Sequence, residues 1–542
     1  MLNGVQINEY DNSQIIRNYT NEIGGFVGMF EKGKINVPTF ITSATEFKTI
    51  FGRGLDIFCN DWYQVYNYLQ YSSGIWVVRC AGDETYNAMS YSDDFEYNPI
   101  QVQTVDEFYG RWNTLQTENG VVFCANTAGE SGNLISVHII NKDDYKNNIL
   151  VFGNYAKNIF DYFNDGYVGI VIARNNIIVE KYYISQNTLN SNTSNKKTIP
   201  FTSQYVYAKF NEFDVDVNNG VYELSGGITQ IPNTSDWDKS HELLHSVEDY
   251  VIDNFIINQD ALYQGYNVGL SRQDCLCYLG LPVSQQDILC FDEDPDVGLD
   301  GKSTKIQIWN TESDDIIVED SENLKSDYTL ERVKEFVQLL NYGDFLVVIN
   351  NIKEQKDGFT NKTKLINIAG DIAGLKAQAS LKTPYTPNAG LVNGEIKNLV
   401  KSHIEWSKSE MAEMYDMGLN YINNGYLMSQ KTYTNVNSAF NRINVRSLFN
   451  HLERTISAAQ RESVFEFNDS YTLNKAKTQI TKILEDAKSA RGLQNYKIVT
   501  HSVTTGDVID PNTIVIEIYI QPTYVAEQII LNVYNDGTTD IR

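Results

Sequence analysis

The strongest constraint on the fold lies near the end of the chain, between Thr513 and Ile520. Isoleucine occupies every second position from residue 514 onwards, and valine, glutamate and tyrosine fill the positions between. Because neighbouring side chains of a strand point to opposite faces, this alternation predicts a strand with one apolar face. A second strand is predicted from Tyr496 to Thr500. An apolar sheet face needs another layer to cover it.

Two amphipathic helices are predicted directly before these strands. The first places its apolar residues three or four positions apart on one face, at Val445, Leu448, Phe449, Leu452 and Ile456. The second repeats the pattern with Leu473, Ala476, Ile480, Ile483, Leu484 and Ala487. Gly492 stands where a helix C-cap glycine is expected. The last hundred residues therefore predict a compact α+β unit, and none of their patterns points to catalysis.

Three segments of this unit carry a family resemblance. They are Ile443–Phe449 (INVRSLF), Phe465–Asp469 (FEFND) and Ile518–Pro522 (IYIQP). In sequence and order they resemble the C-terminal domain of the contractile tail sheath proteins of myophages, and most of all the T-even-like branch. The resemblance implies a structural, polymer-forming protein rather than an enzyme.

Upstream segments are similar to the same family. A glycine-rich strand at 24–30, a segment at 41–52, a strand at 75–81 and a small-residue segment at 370–390 follow the family's order. The resemblance implies an α+β multidomain, tail-sheath-like fold with a C-terminal α/β polymerisation domain, a central α/β domain and an inserted β-rich domain. The expected units are an N-terminal arm (1–20), the first part of the central domain (21–92), the β-rich outer domain (93–230), the second part of the central domain (231–384), the C-terminal inner domain (385–522) and a C-terminal arm (523–542).

Composition limits the partners of this chain. Its 43 basic and 69 acidic residues give a net charge of −26, which argues against nucleic acid because phosphates select clustered Lys and Arg. Neither a membrane-spanning apolar run nor a secretory signal is recognisable. The scattered cysteines predict buried thiols in a reducing cytoplasm rather than a zinc site; they are Cys59, Cys80, Cys124, Cys275, Cys277 and Cys290.

A complete H-E-x-x-H motif runs from His241 to His245. On the helix predicted at 240–249, its two histidines would share one face, as zinc requires, and Glu242 would be placed to activate a bound water. No third ligand follows at the usual downstream spacing. A zinc metallohydrolase is thus the alternative of another class, and no catalytic, metal or cofactor residue is assigned.

Three weaker motifs are incomplete. The glycines at 25 and 28 lack the rest of a dinucleotide fingerprint, so close strand packing is the better explanation. The segment 301–304 ends like a phosphate loop, but Asp296 occupies the position of its first glycine. The acidic segment 292–300 is similar to a calcium loop, but its glycine is one place late and Ser303 replaces the final glutamate.

The resemblance implies a mechanical function. Many copies would polymerise as a helix, in hexameric rings, around an inner tail tube and would contract to drive the tube through the host envelope. It also implies contacts with baseplate and tail terminator proteins, with no nucleic acid and no membrane insertion, in the virion tail and in the host cytoplasm during assembly. The sheath of a non-phage contractile injection system or a type VI secretion-like system is the other candidate.

The two chain ends are expected to link neighbouring copies. Residues 1–20 and about 523–542 contain short extended segments that have too little chain to bury themselves. Such segments pair with another sheet edge. Residues 528–534 are accordingly expected to be a strand lent to the next subunit.

Overall fold

The computed structural model describes residues 22–54, 56–90, 100–112, 120–151, 154–190, 202–211, 213–282, 329–463, 465–501 and 512–527. The predicted N-terminal arm, residues 528–542 of the predicted C-terminal arm, the acidic segment 292–300 and the segment 301–304 lie outside the described residues. The chain begins with a central α/β layer. Its first elements are β1 (Gly24–Gly28), β2 (Thr39–Ile41), α1 (Ala44–Phe51), α2 (Cys59–Tyr68) and β3 (Ile75–Arg79).

A β-rich unit is inserted next. Its elements are β4 (Asn87–Met89), α3 (Val105–Trp112), β5 (Gly120–Ala128), β6 (Ile135–Ile140), α4 (Lys142–Lys146), β7 (Leu150–Val151), β8 (Asn154–Tyr155), α5 (Ala156–Ile159), β9 (Tyr167–Arg174), β10 (Ile177–Ser185), α6 (Gln186–Asn190), β11 (Val206–Asn211) and β12 (Gly220–Glu223). Two antiparallel sheets, β10-β9-β6-β12 and β11-β5-β4, enclose its apolar core. Glu31 of the central layer holds the insert by accepting from Arg174 at 2.6 Å, and it also binds Arg53 at 3.0 Å.

The chain then returns to complete the central layer. The elements are α7 (Thr234–Glu242), β13 (Asn254–Ile256), α8 (Leu262–Arg272), β14 (Leu276–Gly280), α9 (Leu330–Gln338), β15 (Leu346–Ile349), β16 (Ile352–Lys356), β17 (Thr363–Asn367) and α10 (Ala369–Ser380). The main sheet has the order β15-β14-β13-β1-β3-β2, parallel except for β2. Two separate apolar clusters cover its two faces. Near-continuous apolar strands are what a sheet buried on both faces requires.

Close packing explains the glycines of β1. A Cβ on Gly24 would lie 2.8 Å from Cζ of Tyr68 in α2, so no larger residue fits without displacing that helix. The glycines at 25 and 28 are packed as closely: a Cβ on Gly25 would lie 3.0 Å from Cδ1 of Ile252, and a Cβ on Gly28 would lie 2.8 Å from Oδ2 of Asp61. Close strand packing accounts for these glycines, as the sequence predicts.

Helix α10 carries buried charge beneath the main sheet. Lys376 is fully buried, and its Nζ lies 2.6 Å from Oε1 of Glu22, the first described residue. Asn254 donates to the other carboxylate oxygen at 2.7 Å. A second buried pair, Lys353 with Asp371 at 2.9 Å, fixes α10 against β16. The carboxylate of Glu22, at the start of the described residues, is therefore held by partners from two distant elements, α10 and β13.

The C-terminal part first adds four elements to the central layer: β18 (Lys401–Ser402), α11 (Lys408–Asp416), β19 (Ile422–Asn423) and β20 (Tyr426–Leu427). Strand β18 pairs with β16, and Met414, Ile422 and Leu427 lie in the central apolar clusters. A further layer then consists of α12 (Ile443–Gln460), α13 (Ser470–Ser489), β21 (Leu493–His501) and β22 (Val515–Pro522). Both predicted helices and both predicted strands are present. Helix α12 spans two cores: Ile443 belongs to the central cluster, whereas Leu448 and Leu452 pack with α13 and the two strands.

One arginine ties α12 to the central sheet. The Arg454 guanidinium binds Asp253, just before β13, and its Nη2 lies 3.2 Å from Oδ2 of Asp274, just before β14. The second carboxylate oxygen of Asp253 accepts the backbone N–H of Ile23 at 2.8 Å. This group joins the chain entry, two strands and the C-terminal helix at one end of the sheet.

The end of α13 differs from the expectation for Gly492. The residue in the left-handed region is Arg491, with φ 67°. The N–H of Gly492 donates to Ala487 O at 2.9 Å and that of Arg491 to Lys488 O at 3.0 Å, the paired bonds of a Schellman motif. Gly492 is instead required for space, because a Cβ there would lie 2.7 Å from Cε2 of Tyr385.

We expect Arg491→Gly to stabilise the protein by about 0.5–1 kcal/mol, because glycine adopts a positive φ without a Cβ penalty. Gly492→Ala should destabilise it by about 1–3 kcal/mol through contact with Tyr385. Unfolding midpoints of the two variants measured side by side check both signs. A lower midpoint for Arg491→Gly would contradict this description of the helix end.

Lys376→Met should cost about 3–5 kcal/mol, because it leaves the buried Glu22 carboxylate without its cation. Lys382→Met, at an exposed lysine two residues beyond α10, is the matched control. Adding Glu22→Gln to Lys376→Met should recover part of the loss. Equal midpoints for Lys376→Met and the control would refute the assignment.

Candidate assembly surface

The C-terminal hairpin presents open sheet edges. Strands β21 and β22 pair antiparallel, with Ile498 opposite Ile518 and His501 opposite Val515. Alternate residues of β22, including Ile518, face helices α12 and α13. Within the described part of the chain this sheet has only these two strands, so no third described strand covers either outer edge. Such edges are templates for strands of other chains.

An aromatic tip lies beside this hairpin. We define it as Phe465 and Phe467, which are both almost entirely exposed between α12 and α13. Phe465 also has a positive φ of 71°, a conformation that bulky residues rarely adopt. The side-chain amide of Asn468 donates to the Thr513 carbonyl at 3.3 Å and so places the tip next to the start of β22. Exposed rings on a strained loop indicate an interaction surface.

The H-E-x-x-H segment does not form the helical pair that zinc requires. The predicted helix bounds 240–249 are wrong, because an Asn233–Asp236 capping box starts α7 early and the helix ends at Glu242. His245 follows that end. The His241 ring is buried, and its Nδ1 donates to the Trp237 carbonyl at 2.8 Å. Its burial lowers the pKa of His241 to about 4.

Among the residues that the structure describes, no three His, Cys, Asp or Glu side chains are grouped to hold a metal ion. Four of the described cysteines are buried and Cys59 is half-buried, and none of these five forms a disulfide. In the same described part, no helix is long and apolar enough to cross a membrane.

In the main sheet, side chains occupy the place where open parallel sheets usually bind ligands. In open parallel sheets that place lies beyond the strand ends where the strand order reverses, which is here between β1 and β13. Oδ2 of Asp61 accepts the Met29 N–H at 2.7 Å and the Asn258 side-chain amide at 2.9 Å. Asp61 and Asn258 are both buried. The protein's own side chains therefore occupy this crevice.

Asp61 has an unusual protonation equilibrium. Burial and then the nearby Asp260 raise the pKa of Asp61 to about 8. Below this raised pKa the buried carboxyl is mostly protonated, and its neutral form costs much less to bury than the carboxylate.

Comparison with solved structures defines the class of fold. The chain aligns with a crystal structure of a sheath tail protein from Listeria innocua at a TM-score of 0.55 and 11% identity, covering 93% of this chain and 92% of that one. For a sheath tail protein from Desulfitobacterium hafniense the TM-score is 0.57, at 11% identity and 96% coverage of both chains. The predicted multidomain, tail-sheath-like α+β fold is confirmed.

Comparison with known sequences shows that the chain is similar to the tail sheath proteins of phages. Residues 435–535 match the family model of the phage tail sheath C-terminal domain. The chain is 25% identical over 457 residues to the tail sheath protein of Vibrio phage KVP40, covering 75% of this chain and 64% of the relative. For Enterobacteria phage T4 the match is 25% over 454 residues, covering 74% and 63%. The resemblance to phage tail sheath proteins, the T-even-like branch included, is confirmed, although the chain spans less than two thirds of these relatives.

The raised pKa of Asp61 makes the free energy of unfolding depend on pH. Because folding raises the pKa of Asp61, the contribution of Asp61 to the free energy of unfolding is fully present below the ordinary pKa of 3.8. This contribution is lost as the pH rises through about 8. We expect Asp61→Asn to match the natural protein below about pH 4 and to exceed it by at least about 1 kcal/mol at about pH 9.

Urea unfolding at both pH values measures this difference, with Asp249→Asn, at an exposed site, as the control. A gap between Asp61→Asn and the natural protein that does not grow with pH would refute a buried neutral carboxyl.

Proposed function

We propose that this chain is the protomer of a contractile tail sheath. It polymerises as a helix around an inner tail tube, and its contraction drives the tube through the host cell envelope. The observation that carries the proposal is the similarity to phage tail sheath proteins over three quarters of the chain. The role is structural and mechanical rather than enzymatic.

The architecture suits a subunit that moves as a rigid body. The Arg454 group and the shared helix α12 hold the C-terminal layer on the central sheet. The hairpin β21–β22 leaves edges to which a neighbour's chain end can add a strand. A strand ladder resists separation, while the chain leading to it can change direction. We infer that residues 1–20 and the C-terminal segment are the links that survive contraction.

The partners follow from this role. Copies of the same chain, arranged in hexameric rings, are the main partner. The tube, baseplate and tail terminator proteins contact the polymer along its bore and at its two ends. The protomer is made in the host cytoplasm and ends in the virion tail. The phage origin of the sequence relatives favours a phage sheath over the sheath of another injection system.

Negative-stain electron microscopy of the purified full chain tests the proposal. Rings or tubes of uniform width are the expected result. A protein that stays monomeric over a wide range of concentration and salt would oppose it.

Deleting residues 1–15 should give a folded, soluble protein that does not polymerise, because the strand that it lends is lost. Deleting only residues 1–4, which keeps the apolar positions Val5, Ile7, Ile15 and Ile16, is the control. Thermal melting checks that the body remains folded. Sheaths or long tubes formed by the 1–15 deletion would disprove the N-terminal link.

A further inference from the structure

After β22 the chain runs across the surface as a short strap, defined here as residues 523–527. At its start, the Thr523 N–H donates to the Gly492 carbonyl at 3.0 Å. Tyr524 is 75% exposed and Val525 38% exposed, so apolar burial does little to hold the strap. What fixes its far end is Glu527.

Glu527 is held by Arg442 and Tyr415, and we name these three side chains the clasp; the side chain of Gln430 adds a further hydrogen bond to Glu527. Arg442 donates from Nε to Oε1 at 2.7 Å and from Nη2 to Oε2 at 2.8 Å. The Tyr415 hydroxyl also donates to Oε2. Two parallel bonds from a guanidinium fork are the strongest and most directional way to hold a carboxylate. The clasp therefore sets the orientation of Glu527 as well as its position.

Arg442 and Tyr415 are themselves held in place by contacts within the protein. Arg442 is the residue before α12, and its Nη1 donates to Oδ1 of Asn441 at 2.9 Å while Nη2 donates to the Tyr415 hydroxyl at 2.8 Å. Tyr415 belongs to α11, and the Lys431 ammonium lies 4.2 Å from its ring centroid. The clasp thus joins the strap to two elements of the body.

The clasp is only partly open to solvent. The side chains of Arg442 and Glu527 are 26% and 28% exposed. Burial alone would raise the pKa of Glu527, but hydrogen bonds from Tyr415 and Arg442 outweigh it and lower that pKa. The carboxylate is therefore charged at neutral pH, where it forms an ion pair with Arg442.

We propose that the clasp fixes the point and direction from which the last fifteen residues leave the protomer. This inference rests on the proposed function, in which that segment links to a neighbouring copy. With Glu527 released, the strap end can move by up to about 14 Å around Thr523. A linking segment that starts from one fixed place loses less conformational freedom on binding.

The first test uses the dissociated full chain and does not depend on assembly. Chymotrypsin cleavage after Tyr524 is followed by the mass of the released fragment. Glu527→Gln should accelerate this cleavage about fivefold or more, because an unpinned strap enters the protease more readily. Glu466→Gln is the matched control, since Glu466 forms an equally exposed surface pair with Lys475 at 2.6 Å in the same layer.

The second test follows assembly by electron microscopy. Glu527→Gln should give fewer and shorter polymers than Glu413→Gln, which breaks a partly exposed ion pair between helix α11 and Lys334, away from the aromatic tip. The reversed pair, Arg442→Glu with Glu527→Arg, should restore both slow cleavage and assembly, whereas Arg442→Glu alone should not. A glutamate before the first turn of α12 is compatible with that helix.

The outcomes separate the two proposals. Unchanged cleavage in Glu527→Gln would refute the clasp. Faster cleavage with polymers of normal number and length would refute its positioning role. If the natural chain itself does not assemble, the proposed function fails, while the cleavage comparison still decides whether the clasp exists.

Discussion

The Arg454 guanidinium stands between Asp253 and Asp274, and much of the architecture depends on this contact. Both aspartates precede strands of the main sheet, and Asp253 also receives the chain as it enters at Ile23. Arg272 also pairs with Asp274 at 3.0 Å, so Arg454 is the cation that joins Asp253 to this group. Through it, the C-terminal helix, the sheet and the start of the described chain are linked. In the proposed sheath, this junction would transmit force between the layers.

Side chains fill the crevice beyond β1 and β13 of the main sheet, whereas no third described strand covers the edges of the C-terminal hairpin. Asp61 and Asn258 occupy the place beyond β1 and β13 where related sheet architectures hold small molecules. The C-terminal hairpin, in contrast, has no third strand among the described residues, and the aromatic tip lies beside it. In the proposed sheath, the α/β core would support contact surfaces rather than a ligand site, since function is set by sites rather than by the fold.

Local periodicity made the C-terminal layer predictable. The apolar stripes of α12 and α13 and the alternation in β22 follow directly from helix and strand geometry. Motifs were less informative: the capping box at Asn233 moved α7 towards the N-terminus and removed His245 from it. Gly492 has a packing role that depends on Tyr385, more than a hundred residues away in the chain. The clasp is likewise a contact between distant residues, and no local pattern identifies Glu527 among the other acidic residues.

The aromatic tip also determines how the free protomer behaves in solution. Each copy carries a net charge of −26, so two copies repel each other. This repulsion extends over about 30 Å at 0.01 M salt but only about 10 Å at 0.1 M. At the lower ionic strength, Phe465 and Phe467 are kept away from the apolar surfaces of other copies; at the higher one they come within reach. In the proposed assembly, ionic strength would therefore influence how long separate protomers persist before they polymerise.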